Sequence, residues 1–373
     1  MVYLDNAATS FLKPQSVYYA VSRAMFELSS PGRGGYETAM RAAETAFLCR
    51  EAAAALFNVP GPENVVITFN ATHGLNIAIR SLASRGGRVV VSGFEHNSVM
   101  RPLNDIGART FVAAAQPFDE NSTLNAFHKK LTPDTELAVV NHVSNVFGCI
   151  QPVYEIAEMC RKRHIRLIID ASQSAGVLSV DFMQLGAAFV AMPGHKGLFG
   201  PQGTGLLLCG EMPRTFMAGG TGSSSILHSM PDVLPDRAEA GTHNMPGIAG
   251  LLAGIKFVSS RGTDIILKHE RELIALLSQE LNRIEKVKTY MPPVSNGTGV
   301  LSFNINDIAP EAAARSLSEL GIAVRAGLHC APLAHKSAGT LETGTLRSSV
   351  SVLNTRRDIK ALVRAVIRIA ERH

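Results

Sequence analysis

Lys196 stands in the stretch Ala191-Met-Pro-Gly-His195-Lys196-Gly-Leu-Phe-Gly-Pro-Gln-Gly-Thr-Gly205, after a run that reads as a buried strand. Asp170, twenty-six positions earlier, ends another such run. A carboxylate and an amine on neighbouring strand ends would hold the ring nitrogen and the aldehyde carbon of one pyridoxal phosphate, and once released the amine would be free to take a Cα proton. Each residue also has a plainer reading. Asp170-Ala-Ser-Gln would serve as a helix N-cap, and a loop lysine is usually solvated. His195 and the glycines around Lys196 weigh against the second, because they crowd donors and a permissive backbone at one point.

Other residues extend the set. The turn Ala71-Thr72-His73-Gly74 would present helix N-terminal N–H groups and a hydroxyl to a phosphate, or Thr72 is a plain cap. His96, after Val89-Val-Val-Ser-Gly-Phe-Glu, would lie on a pyridine ring and exchange protons, or would only cap a helix. Cys330, in Val324-Arg325-Ala-Gly-Leu-His329-Cys330-Ala, sits on a glycine-containing turn beside an imidazole. It reads as a nucleophile, with a buried structural cysteine or a metal site with His329 and His335 as alternatives. Arg347 offers a bidentate fork for an α-carboxylate, or is a surface charge.

Positioning such groups requires a scaffold of strand ends. Between about residues 60 and 210, short apolar runs alternate with helical stretches, as in a mainly parallel sheet covered on both faces. Strands are expected at 65–69, 88–92, 109–113, 138–142, 166–170, 188–192 and 205–209, a seven-stranded α/β sheet. In open α/β sheets ligands lie beyond the carboxyl ends. Those ends here are Asn70-Ala-Thr72-His73, Glu95-His96-Asn97, Asn141-His-Val-Ser-Asn145, Asp170-Ala-Ser-Gln173 and Gly194-His195-Lys196. Residues 217–244 read as an irregular functional loop, and 246–282 as helical. A smaller C-terminal α+β domain carries strands at 298–304 and 322–325 and helices at 310–320 and 355–372. The expected division is a large domain over 15–261 and a small one over 262–373, with segment 1–14 packing near the active site.

Composition narrows the function classes. With 373 residues, 46% hydrophobic and 18% charged, the chain has the make-up of an enzyme with a large core, not a disordered protein. The net charge of +5 comes from scattered Lys and Arg without interleaved aromatics, so nucleic acid is not an expected partner. No apolar run is long enough to span a bilayer, and the start does not read as a signal peptide, so a cytoplasmic protein without a membrane role is expected. Cys49, Cys149, Cys160, Cys209 and Cys330 form no C-x-x-C pair, and the first four read as core residues.

In their order, these pieces resemble the class V aminotransferase-like family of fold-type I pyridoxal enzymes, in its cysteine desulfurase and selenocysteine lyase branch. The resemblance covers essentially the whole chain, from Tyr3-Leu-Asp-Asn-Ala-Ala-Thr through Thr72-His-Gly-Leu-Asn76, Glu95-His96-Asn-Ser98, His142-Val-Ser-Asn145, Ala240-Gly-Thr242-His-Asn244 and Arg325-Ala-Gly-Leu-His-Cys330 to Leu346-Arg347. It implies pyridoxal 5'-phosphate as cofactor, attached to Lys196, with Asp170 at the ring nitrogen, Gln173 at the ring hydroxyl, and Thr72, His73 and His195 around the phosphate. His96 would stack on the ring, Asn145 and Arg347 would hold the substrate carboxylate, and Cys330 would receive sulfur. Thr242 would reach the neighbouring subunit's site in a homodimer. The short segment at Cys330 resembles the SufS-like group, which implies L-cysteine or L-selenocysteine as substrate and a sulfur-acceptor protein or small reductant approaching the pocket. A selenocysteine lyase, or a class V aminotransferase acting on another small amino acid, is the alternative to a cysteine desulfurase. Pro193, His73 and His243 depart from the branch's usual residues; Pro193 stands where a hydroxyl often meets the phosphate.

Overall fold

The computed structural model describes residues 1–31 and 34–372. Among them, thirteen strands form three sheets. The strands are β1 (Val2–Tyr3), β2 (Val65–Thr68), β3 (Arg88–Ser92), β4 (Arg109–Ala113), β5 (Thr135–Asn141), β6 (Arg166–Asp170), β7 (Phe189–Pro193), β8 (Gly205–Cys209), β9 (Val287–Tyr290), β10 (Val300–Ile305), β11 (Ile322–Ala323), β12 (Arg325–Gly327) and β13 (Thr345–Ser349).

The large sheet runs β2-β8-β7-β6-β5-β3-β4, with β8 antiparallel to both neighbours and the other pairings parallel. All seven expected strands are present, and the fold is the expected α/β fold. Continuous apolar runs are what a sheet buried on both faces requires. Alternation then divides each strand between two cores. Val90, Ala138, Val140, Leu167, Ile169 and Val190 enter one, while Val89, Val91, Leu137, Val139, Ile168 and Phe189 enter the other. A one-residue slip would exchange the two sets.

Helices follow the strands with local reasons for starting where they do. Asn70 caps the helix Ala71–Leu82 by accepting from the His73 N–H, and His96 caps Asn97–Ile106 through the Ser98 N–H. The long helical stretch is two helices, Met245–Arg261 and Thr263–Leu281, because Gly262 adopts φ 84° between them. Residues 217–244 contain only the short turn Asp236–Ala238.

The C-terminal sheet, β12-β13-β10-β9, is antiparallel. The strand expected at 322–325 is divided. Ile322–Ala323 pairs with the N-terminal β1, and Arg325–Gly327 pairs with β13. Short apolar runs carry no signal for which sheet they join. The last helix, Arg356–Ala370, is opened by a reciprocal capping box between Thr355 and Asp358. Its buried face joins Leu273, Leu277, Leu301, Phe303 and Leu346 in a core separate from those of the large sheet, and Leu4 reaches the same core. No described helix is long and apolar enough to cross a membrane.

Candidate active site

Strands β5, β6 and β7 lie side by side, with Asn141 opposite Asp170 and Asp170 opposite Ala191. Their carboxyl ends therefore deliver Asn141–Asn145, Asp170–Gln173 and Pro193–Lys196 to one place. The helix N-terminus at Ala71 and the His96 cap close the sides. A cavity of about 190 Å³ results, lined by Asn70, Ala71, Thr72, His96, Ser98, Asn141, Asn145, Asp170, Ser172, Gln173, Pro193, His195 and Lys196, together with Ala8 and Val143.

Loss of water around the Lys196 amine pushes its pKa down to about 8, and the Asp170 carboxylate pulls in the opposite direction. The result is an amine far easier to deprotonate than a surface lysine. Asp170 is buried at the end of its strand, and Oδ1 accepts the Ser172 N–H at 2.9 Å. Turns, not a helix, follow β6, so the carboxylate is not a helix cap.

His96 caps its helix and also presents its ring to the cavity. Its Nδ1 accepts the Ser98 N–H at 3.0 Å and meets Ser98 Oγ at 2.8 Å, while the ring lines the cavity. An acceptor at Nδ1 assigns the proton of the neutral ring to Nε2. Desolvation lowers its pKa, which favours that neutral form. His195 is pushed down to about 4, by desolvation first and then by the charges of Lys196 and Lys13, and its Nδ1 lies 3.0 Å from Thr9 Oγ1. Glu95, buried beside His96, has its carboxyl raised to about 8 by burial against the pull of its bonds from Ser92 Oγ and the Asn141 N–H.

Other predicted residues are less direct. The Gln173 amide donates to the Ala7 carbonyl at 2.9 Å while the residue lines the cavity. Asn145 Nδ2 donates to the His329 carbonyl at 2.8 Å, leaving Oδ1 buried with no partner among the described residues. Arg347 is buried behind Asn145 and does not line the cavity; it donates to the Asn145 carbonyl at 2.9 Å and to Asp5 Oδ1 at 2.7 Å.

The His73 ring turns away from the cavity, accepting the Phe69 N–H and stacking on Phe69 with centroids 4.7 Å apart. Only its backbone belongs to the anion-facing turn. Thr242 is exposed in the 217–244 loop, outside this chain's own cavity. Pro193, the last residue of β7, lines the cavity and brings no donor to it. His243 bonds Glu239 at 2.9 Å, and Glu239 in turn holds Arg50 and the Ile67 N–H.

Cys330 is exposed, whereas the other four thiols are buried. It lies in the wall of a surface groove of about 770 Å³ that shares Thr72, His96 and Ser98 with the cavity. Its turn is held rigidly. His329 and Cys330 both have left-handed backbones, φ 49° and 56°, and their carbonyls accept from Asn145 Nδ2 and the Asn97 N–H. Behind them the His329 and His335 rings stack at 5.6 Å, each with one nitrogen bonded to protein, His329 to Thr345 and His335 to Thr340.

Sequence reasoning passed over the N-terminal segment's direct contacts and Arg325. Thr9 and Ser10 hydroxyls donate to the His195 carbonyl, Ala7 receives Gln173, and Asp5 joins Arg325 and Arg347. The available signal was the cluster of small polar residues in Asp5-Asn-Ala-Ala-Thr-Ser10.

A family model described as Aminotransferase class-V matches residues 2–362. The chain is 35% identical to a probable cysteine desulfurase of Methanothermobacter thermautotrophicus, across 99% of this chain and 94% of the relative. The solved apo structure of a cysteine desulfurase from Thermococcus onnurineus NA1 superposes with a TM-score of 0.91 at 29% identity, covering 100% of this chain and 95% of that one. The cysteine desulfurase CsdA from Escherichia coli gives 0.87 at 26% identity, covering 99% and 94%.

Proposed function

Since the chain belongs to the class-V aminotransferase family, whose cysteine desulfurases are pyridoxal phosphate enzymes, we propose that it converts L-cysteine to L-alanine and leaves the sulfur on Cys330. One observation carries the reading: the single exposed thiol lies in the wall of a groove that shares Thr72, His96 and Ser98 with the cavity holding Lys196 and Asp170.

The donor set fits pyridoxal 5'-phosphate. Asp170 supplies a buried carboxylate for the ring nitrogen, Lys196 an easily deprotonated amine for the aldehyde carbon, and Gln173 and the partnerless Asn145 Oδ1 polar contacts at the ring edge. Thr72, the N–H groups opening the helix at Ala71 and the His195 ring would hold the phosphate. When bound, the cofactor supplies a conjugated sink for the electron pair left on the substrate Cα.

The chain's own residues do the rest. Lys196, whose pKa of about 8 makes its neutral amine far more accessible than that of a surface lysine, takes the Cα proton. His96, with its proton on Nε2, lines the cavity and would serve there as a donor. Asn145, on the cavity wall, would meet the carboxylate with its amide N–H, and Arg347, bonded to the Asn145 carbonyl from behind, would add positive charge to that wall. The Cys330 thiolate attacks the substrate sulfur; an S–S bond forms, the C–S bond breaks, its electron pair stays on Cβ and is protonated there, and return of the proton from Lys196 to Cα completes alanine. The rigid turn keeps the thiol at the groove, from which an acceptor protein or small reductant would remove the sulfur.

The same reading takes the active enzyme as a homodimer with Thr242 at the neighbouring site. It takes residues 15–261 and 262–373 as large and small domains, with 1–14 bracing the site, which the separate core built from Leu273 onward supports. Five unpaired cysteines support a cytoplasmic setting.

The test incubates the enzyme with L-cysteine, measures alanine, and looks by mass spectrometry for one extra sulfur on the Cys330 peptide. Cys330→Ala is expected to lose alanine formation while retaining the cofactor's visible absorbance. Full alanine formation by that variant would remove Cys330 from the reaction.

A further inference from the structure

Two arginines and one carboxylate form a compact group beside the cavity. Arg325 and Arg347 are directly opposite each other on β12 and β13. Asp5 bridges them, with Oδ2 at 3.2 Å from Arg325 Nε and Oδ1 at 2.7 Å from Arg347 Nη2. Arg347 is 2% exposed, and its Nε is buried with no hydrogen-bond partner among the described residues. Arg325 is about half exposed, so the group runs from the interior outward.

The position of Asp5 is set by backbone pairing on both sides. The Leu4 N–H donates to Ala323, the Ser349 N–H donates to Leu4, and the Asn6 N–H donates to Ser349. The Asn6 side chain and the Ala7 N–H add bonds to Ser349 and Asn354. A surface carboxylate meeting an arginine by chance would not be clamped between two sheets. It also bonds Nη2 of the buried Arg347 fork, whose Nη1 has the Asn145 carbonyl.

From this we infer that Asp5 is a specificity-determining residue: it cancels one of the two positive charges and limits the arginine pair to a single substrate carboxylate. The inference rests on the reading that the charge of Arg347, behind the Asn145 wall of the cavity, attracts the substrate carboxylate. Two guanidiniums without Asp5 would form a site for a dianion; with Asp5 they carry one net positive charge, matched to the single carboxylate of an amino acid such as L-cysteine. A second anionic group on the ligand meets a like charge instead of a second cation, and like charges at such distances discriminate strongly.

The experiment measures binding, not turnover, so it can be read even if L-cysteine is not the substrate. Holoenzyme is titrated calorimetrically with L-alanine, which has one carboxylate, and with L-aspartate, which has two. The wild-type protein is expected to prefer L-alanine. Asp5→Asn is expected to shift the ratio toward L-aspartate by roughly tenfold or more, while Asp5→Glu, which keeps the charge, leaves the preference in place. A purely structural role for Asp5 would weaken both ligands equally, and an unchanged ratio in a folded Asp5→Asn protein overturns the inference. Should that variant not fold, Arg325→Gln decides: with the group then neutral overall, L-alanine affinity is expected to fall roughly tenfold, and unchanged affinity overturns the inference. Failure of the cysteine reading would appear separately, as absent alanine formation alongside an intact binding ratio.

Discussion

Replacing Lys196 with Met should make the cofactor-free protein more stable while removing its activity. The amine's pKa falls from 10.5 to about 8, chiefly through desolvation. At about 1.4 kcal/mol per pH unit, holding the charged lysine in this cavity costs about 3 kcal/mol at neutral pH. The sign follows from proton counts. Between pH 8 and 10.5 the unfolded chain keeps a proton that the folded chain has lost, so wild-type stability rises with pH across that window. Met keeps the length of the side-chain stem and carries no charge. The variant's advantage should therefore be about 3 kcal/mol at pH 7, shrink above pH 8 and approach zero beyond pH 10.5. Urea denaturation of both cofactor-free proteins between pH 7 and 10.5 measures this directly, above the range in which His96 and His195, whose pKa values Lys196 also lowers, take up protons. A Met variant no more stable at pH 7, or an advantage that stays level up to pH 10.5, would refute the desolvation argument and with it the picture of a poised amine.

Burial also sorts the thiols: Cys49, Cys149 and Cys160 are pushed up to about 12 and Cys209 higher. Iodoacetamide on the native protein at pH 7.5 is expected to label the Cys330 peptide alone, and all five peptides after denaturation. Gly176 has φ +85°, and a Cβ there would meet the Gly197 carbonyl at 2.3 Å, next to Lys196. Gly176→Ala is expected to cost at least about 2 kcal/mol in urea denaturation and to lower activity by displacing the lysine loop. Glu270, buried in Thr263–Leu281 beside the Gly299 N–H, has its carboxyl raised to about 8 by desolvation. Its folded form holds a proton that the unfolded chain has lost above pH 4.5, so its stability contribution falls as pH rises from 4.5 to 8 and stays lost above. Glu270→Gln is expected to match the wild type near pH 4.5 and to exceed it at pH 8.5, read from melting temperatures.

Strand ends were legible because a buried parallel sheet writes itself as apolar runs, and each run stops where the chain meets solvent or ligand. Asn70, His96, Asn141, Asp170 and His195 are all of this kind, and all of them line the cavity. The side-chain directions were not legible. His73 belongs to the same turn as Thr72, yet one helical step carries its ring to Phe69. Arg347 stands beside apolar residues in sequence but is buried because Asp5 and the Asn145 carbonyl compensate its charge. Charge compensation between positions 5 and 347 leaves no local pattern, since neither residue's neighbours reveal the other.

The N-terminal segment shows what this means for the site. Its first strand is two residues long and pairs with a two-residue strand near position 322, too short for periodicity to register. Through that pairing, residues 5–10 touch Arg347, Arg325, Gln173 and His195, which belong to both the large sheet and the C-terminal one. Strand ends of one sheet can align a ring-binding carboxylate and an amine, but they cannot by themselves fix arginines carried on another sheet. A segment bonded to both does so, and small polar residues suit it because their backbone and short side chains reach either side without filling the cavity. The consequence is a cooperative site: loosening residues 5–10 should release the arginine pair and the His195 ring together, even though no residue of the segment belongs to either sheet's core strands.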